Sequence, residues 1–247
     1  MSRFFVDPGQ IRDGRIIMDD KEDVRHLTRS LRYQKGDIIE ISDGCHFEYE
    51  MEMEEITQNQ VLGKILEKRS FTREPSLEIT LYQAIPKQAK MEVIVQKAVE
   101  LGVGRILPLF TQRTVVSDEG NLEKKRLRWQ KVAQEAAKQC GRGRIPQILL
   151  PKDMDFALSH MKEQQVNLFF YEEEQNQTVK EVLRGFDPKE TPRQVGIIIG
   201  PEGGFSPAEA ARITSEGAFS VSMGKRILRV ETASAAALAM VLYEWEL

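Results

Sequence analysis

Two different patterns of apolar and polar positions run along this chain. Phe47-Glu48-Tyr49-Glu50-Met51-Glu52-Met53-Glu54 alternates strictly between apolar and acidic residues, as a strand does when one face is buried and the other meets water. Arg15–Met18, 37–41 and 61–66 are short β-branched runs, set off by the turn signals Asp13-Gly14, Lys35-Gly36-Asp37 and Asp43-Gly44. The pattern predicts a small antiparallel barrel or sheet over 1–72. Within it, Val24, Leu27 and Leu31 share a helical face while Arg25, Arg29 and Arg32 fall elsewhere, so 20–32 reads as a short helix presenting arginines.

Past the polar stretch 69–76, which contains Pro75, strands alternate with helices instead of following one another. Strands are expected at 77–85, 105–110, 166–171, 195–199 and 219–223. Helices are expected at 87–101, 122–139, 206–216 and 232–246. In the first of these, Met91, Ile94, Val95 and Ala98 form one stripe and Gly102 is the stop. Such alternation implies an α/β domain over 73–247 with a mostly parallel sheet covered by helices. The last helix is alanine-rich and apolar nearly all round, so it must bury itself against its own sheet or a partner subunit.

Composition narrows the class. Of 247 residues, 41% are hydrophobic and 30% charged, which excludes a disordered, collagenous or membrane-spanning chain. No apolar segment precedes a small-residue cleavage site near the start, and the longest apolar run, 233–242, is about half of what a membrane helix needs. A cytoplasmic protein is expected. Cys45 and Cys140 are far apart, and His26, His46 and His160 fall in no ligand spacing, so neither a metal site nor a disulfide is expected. The net charge of −3 hides a segregation: 121–145 carries eight basic residues against two acidic ones, while 43–55 carries six acidic residues and no basic one. One face could therefore meet a polyanion.

Two stretches carry candidate chemistry. In Val195-Gly196-Ile197-Ile198-Ile199-Gly200-Pro201-Glu202-Gly203-Gly204-Phe205-Ser206-Pro207-Ala208-Glu209 an apolar strand runs into a glycine turn, and Ser206-x-x-Glu209 with Pro207 opens a helix as a capping box. That places the turn at the carboxyl end of a buried strand, where open α/β sheets bind ligands. Neither a phosphate-loop nor a dinucleotide glycine pattern is present. Glu202 would repel phosphate oxygens, so a ligand without phosphates fits better. In the second stretch, 221–236, a strand ends at Gly224 and a loop carries Arg226, Arg229 and Glu231 ahead of a helix near Thr232. That helix start can offer free N–H groups to a ligand. An Arg229–Glu231 ion pair that merely ties the loop down would explain the same residues.

Taken together, Gly200-Pro201-Glu202-Gly203-Gly204-Phe205-Ser206 and Met223-Gly224-Lys225-Arg226-Ile227-Leu228-Arg229-Val230-Glu231-Thr232-Ala233 closely resemble the bacterial 16S rRNA uridine-N3 methyltransferases (RsmE-like) of the SPOUT superfamily. The resemblance extends along the chain through Arg3-Phe4-Phe5, His26-Leu27 with Leu31-Arg32, 96–103, Gln112-Arg113-Thr114-Val115-Val116, Arg128-Trp129 and 139–142. It implies a PUA-like β-barrel over 1–72 and, over 73–247, a SPOUT domain with a C-terminal trefoil knot, working as a homodimer. It also implies S-adenosylmethionine as cofactor. By resemblance the cofactor positions are Gly200, Glu202, Gly203, Gly204, Met223, Gly224, Ile227, Leu228, Arg229, Glu231 and Thr232, with Leu168, Tyr171 and Glu172 after the preceding strand.

Chemistry on such a substrate defines two jobs. Uridine N3 is an imide nitrogen that must lose its proton before attacking a methyl group, and the resulting charge spreads onto O2 and O4. A proton acceptor and a cation near those oxygens are required. Arg113 and Arg229 are the candidate cations, and Glu231, Glu202 and Glu135 the candidate acceptors. For gripping RNA the expected set is Arg3, Arg29, Arg32, Arg113, Arg126, Trp129 and Arg142, as phosphate contacts and one stacking ring. The expected activity is methylation of N3 of a specific uridine in the decoding region of 16S rRNA, within the 30S subunit. A ribose 2′-O methyltransferase and a non-catalytic assembly factor are the alternatives, and a small-molecule enzyme would leave the basic run unexplained.

Overall fold

The alternating and β-branched runs of the first part pair into one six-stranded sheet. In this computed structural model, which describes residues 3–87, 90–114, 121–187 and 189–246, the strands are β1 (Phe4–Phe5), β2 (Ile11–Arg12), β3 (Arg15–Met18), β4 (Ile38–Ser42), β5 (Phe47–Ile56) and β6 (Val61–Ser70). Their order is β1-β4-β5-β6-β3-β2, with β1 parallel to β4 and every other pair antiparallel. The inward positions of β5, Tyr49, Met51 and Met53, join Phe4, Ile16, Leu27, Ile41 and Val61 in one core. Asp43 closes the β4–β5 turn by accepting the N–H groups of Cys45, His46 and Phe47 at 2.8–2.9 Å.

One acidic position of β5 departs from the alternation. Glu48 is buried because Arg3, itself fully buried, meets it at 2.5 Å and Arg69 at 2.8 Å. Glu40 receives Arg3 and Arg69 at 3.1 and 3.2 Å. Segment 20–32 departs as well. Helix α1 (Lys21–Arg25), capped by Asp20, passes into one π-helical turn, His26–Ser30. There the Leu31 N–H reaches back five residues to the His26 carbonyl at 3.0 Å. The wider turn rotates Leu31 off the face of Val24 and Leu27 and leaves it exposed.

This unit comprises Met1–Glu74 together with Glu135–Ile145, and a second unit holds Pro75–Gln134 and Pro146–Leu247. The second is the expected α/β layer: β7 (Glu78–Ala84), α2 (Lys90–Glu100), β8 (Arg105–Leu109), α3 (Leu122–Cys140, of which 135–140 belong to the first unit), β9 (Gln147–Ile148), α4 (Met154–Met161), β10 (Val166–Phe170), α5 (Val179–Arg184), β11 (Gln194–Ile199), α6 (Pro207–Ser215), β12 (Phe219–Val221) and α7 (Val230–Trp245). The strands are ordered β12-β10-β11-β7-β8-β9, all parallel. Buried on both faces, β10 and β11 are continuous apolar runs. Gly102, at φ +91°, takes the left-handed conformation just past α2. Residues 88 and 89, at the expected start of that helix, and Val115 and Val116 of the 112–116 motif lie outside the described residues. The apolar α7 packs on α2, α5 and β11 and leaves Met240 and Tyr243 exposed.

Among the described residues no group of His, Cys, Asp and Glu is arranged to hold a metal ion, and no helix is long and apolar enough to cross a membrane.

Candidate active site

Because β10, β11 and β12 run parallel, the loops leaving their carboxyl ends converge at one edge of the sheet. They enclose a cavity of about 480 Å³, within the range of ligand pockets. Its wall includes Tyr171 and Glu172 after β10, Gly200 to Gly204 after β11, and Ser222 to Gly224 with Arg226 to Arg229 after β12. Lys90 of α2 and the first residues of α7 complete it.

Local geometry explains the glycine turn. The Gly204 N–H closes the turn on the Pro201 carbonyl at 2.9 Å. Gly204 has φ +67°, and a Cβ there would overlap the Glu172 carboxylate. Only glycine satisfies both conditions. Ser206 then caps α6, its hydroxyl accepting the Glu209 N–H at 3.2 Å.

Among the acidic groups, Glu202 accepts the Lys87 N–H at 3.2 Å and the Lys90 ammonium at 2.9 Å. Burial raises its pKa, but those bonds and the lysine charge outweigh burial and hold the carboxyl below its ordinary value. Glu202 is thus fixed as a carboxylate and is a poor proton acceptor. Glu231, in the first turn of α7, has its Oε2 4.0 Å from the Lys90 Nζ; that buried oxygen has no hydrogen-bond partner among the described residues. Glu135 belongs to the portion of α3 in the first unit and does not line the cavity.

The two candidate cations are held differently. Arg113 sits in a turn closed by Thr111 and Thr114, whose hydroxyls lie 2.8 Å apart. Its Nη1 donates to the Gly203 carbonyl at 2.6 Å. Arg229 is the N-cap residue of α7, its carbonyl accepting the N–H groups of Thr232 and Ala233 at 2.9 and 2.8 Å. Its side chain is exposed and makes no ion pair with Glu231 or any other described residue.

The structure brings Tyr171, Glu172, Gly200, Glu202, Gly203, Gly204, Met223, Gly224, Ile227, Leu228 and Arg229 onto one wall. Leu168 is fully buried in mid-strand, and Glu231 and Thr232, in the first turn of α7, are not among the residues of the wall. Sequence reasoning missed Lys90 and Ser222. Ser222 follows directly from the end of β12, but no local signal points to Lys90, which arrives from another strand–helix unit.

The expected RNA-gripping set divides. Arg29 and Arg32 are exposed on the first unit. Arg3 is buried in its glutamate cluster, Trp129 is 6% exposed, and Arg142 is 5% exposed with its guanidinium 2.6 Å from Glu74. Burial leaves these three little surface to offer a polyanion. Arg126 pairs with Glu123 at 2.6 Å, as does Arg128 with Glu92.

Comparisons with known proteins agree with this geometry. Residues 72–242 match the family described as RNA methyltransferase domain, and 19–66 match the RNA methyltransferase PUA domain. The chain is 31% identical to the ribosomal RNA small subunit methyltransferase E of Bacillus subtilis, over 100% of this chain and 98% of that one. It is 34% identical to that of Mesomycoplasma hyopneumoniae, over 77% and 80%. Among solved structures, the Neisseria gonorrhoeae ribosomal RNA small subunit methyltransferase E bound to S-adenosyl methionine superposes with a TM-score of 0.88 at 28% identity, covering 99% of this chain and 98% of that one. A Legionella pneumophila methyltransferase in complex with the same cofactor gives 0.84 at 32% identity, over 98% and 96%. With a PUA-like domain followed in sequence by a parallel SPOUT-type sheet, and matches along its whole length, this chain belongs to the ribosomal RNA small subunit methyltransferase E family.

Proposed function

We propose that this protein transfers the methyl group of S-adenosylmethionine to N3 of a specific uridine in the decoding region of 16S rRNA, acting in the cytoplasm as a homodimer on the 30S subunit. One observation carries the reading. Two segments far apart in sequence, 200–204 and 223–229, build a single cavity with a glycine cradle and two carboxylates, Glu172 and Glu202, in its wall. Glu172 suits a cationic group on the ligand, while Lys90, Arg226 and Arg229 of the same wall suit an anionic one.

The residues fit S-adenosylmethionine: Gly200, Gly203 and Gly204 keep a backbone surface open that a Cβ at Gly204 would close, and Met223, Ile227 and Leu228 supply apolar contact. Bound there, the cofactor supplies an electrophilic methyl on a sulfonium. Arg229, without an ion-pair partner among the described residues, and Arg113 place positive charge where the uracil oxygens become negative. Glu231, in the first turn of α7 next to the wall residue Val230, is the carboxylate assigned to take the N3 proton, while Lys90 neutralises Glu202.

In this reading the part over 1–72 positions RNA and that over 73–247 catalyses, with the C-terminal segment threaded as a trefoil knot. The packing of α7 on β11, directly after a loop that shares a wall with the glycine turn, supports that threading. The exposed Met240 and Tyr243 on α7 support the dimer. The test is methyl transfer to 30S subunits from a strain lacking the activity, followed by mass spectrometry of the nucleosides. The expected product is 3-methyluridine at one site; a 2′-O-methylated nucleoside, or none, overturns the reading.

A further inference from the structure

The glutamate of a capping box ordinarily uses its side chain at its own helix start. Glu209 does this with one oxygen only, its Oε2 accepting the Ser206 N–H at 2.9 Å. Its Oε1 accepts the N–H of Gln112, from a different strand–helix unit, at 2.8 Å. The side chain is buried, with the residue 5% exposed, so both carboxylate oxygens and both backbone donors depend on these two bonds. Next to Gln112 stands Arg113, whose guanidinium donates to Gly203 at 2.6 Å. The turn 111–114 is thus fastened to the glycine turn and the start of α6 at two points, one through Glu209 and one through Arg113 itself.

We propose that Glu209 is a positioning residue for the methyl transfer: by holding the Gln112 N–H it fixes where the Arg113 guanidinium sits beside the cavity. This rests on the reading in which Arg113 stabilises charge on the uracil. A lost anchor frees the 111–114 turn, and small misplacements of a catalytic group are costly in rate. Glutamine at this position has a single acceptor oxygen for two donors, so it restores the link partially.

The experiment uses the full chain with Glu209→Ala, Glu209→Gln, Ser206→Ala, Arg113→Ala and the double variant Glu209→Ala/Arg113→Ala. Single-turnover methyl transfer to 30S subunits, melting temperature and amide hydrogen exchange over 111–114 are measured for each. Glu209→Ala should lower the rate by about tenfold or more, with Glu209→Gln between it and the parent. Ser206→Ala, which weakens the helix start but leaves the Gln112 bond, should lower the melting temperature and keep the rate within about twofold. In the Arg113→Ala background, Glu209→Ala should add less than about twofold. An undiminished rate in Glu209→Ala, an equal loss in Ser206→Ala, or a full additional loss in the double variant overturns the proposal. A parental rate in Arg113→Ala overturns the role of Arg113 itself. In that event faster exchange over 111–114 in Glu209→Ala retains the anchoring as structure alone, and unchanged exchange removes that too.

Discussion

Glu202 and Glu231 show how neighbours set identical side chains apart. Glu202 is held ionised by Lys90 and the Lys87 N–H, while Glu231 keeps one oxygen without a donor. Both were legible as candidates in the sequence, but their difference was not, because Lys90 comes from a distant segment. Arg229, exposed and unpaired, should be dispensable for folding: Arg229→Ala is expected to cost at least about a hundredfold in turnover while moving stability by less than about 0.5 kcal/mol, checked by single-turnover assay alongside thermal melting. Gly204→Ala should do the opposite kind of damage. With φ +67° and the Glu172 carboxylate in the way, the turn must deform, at a cost of about 1–3 kcal/mol. Calorimetry should show cofactor affinity weakened by at least about tenfold.

Elements follow the same logic one level up. The alternation in β5 and the change at 69–76 from consecutive strands to alternating strand and helix were readable because each period reports which side faces the core. Two helices, α4 and α5, escaped that reading. They are 8 and 6 residues long, too short for a clear stripe, although Asp153 and the Thr178-x-x-Glu181 capping box mark their starts. The π turn escaped because apolar spacing assumes 3.6 residues per turn, and Leu31 obeyed that spacing yet faces water. In the barrel the acidic positions outside the core carry a pH dependence. Burial raises the pKa of Glu40, but the hydrogen bond and charge of Arg3 with the charges of Arg73 and Arg69 outweigh it and lower the pKa below 4.5. Its stabilisation is therefore complete above about pH 4.5 and is lost as pH falls through the lower folded value. Denaturant titrations between about pH 3 and 6 should show that loss in the parent and a flatter profile in Glu40→Gln.

For the molecule as a whole, charge is the quantity whose meaning changed. The excess of six positive charges over 121–145 reads in the sequence as a polyanion-binding face, yet much of it is spent internally. Arg126, Arg128, Lys138 and Arg142 each have a carboxylate within 2.6 Å. A linear count cannot reveal this, since Glu92, Asp23 and Glu74 lie far away in sequence. Two neighbouring classes of substitution should separate accordingly. Arg29→Ala should reduce the slope of log affinity for RNA against log salt by about one and leave melting unchanged. Lys138→Met should leave that slope alone and cost about 3 kcal/mol in urea denaturation, because it strands Asp23 as a buried carboxylate.

Through Lys138 and its neighbours, segment 135–145 belongs to the amino-terminal unit. Its β-strands are complete by Ser70, yet the Arg3 N–H bonds to the Lys138 carbonyl, Ser42 to the Gly143 carbonyl and Glu74 to Arg142. During synthesis the amino-terminal unit therefore waits for residue 145, about half a minute at most after the first strand emerges, at ribosomal speeds of roughly 5–20 residues per second. Until then Arg3 and Glu48 have each other but not the Lys138 carbonyl that the Arg3 N–H meets. A gene encoding residues 1–74 alone would lack the segment that supplies these bonds.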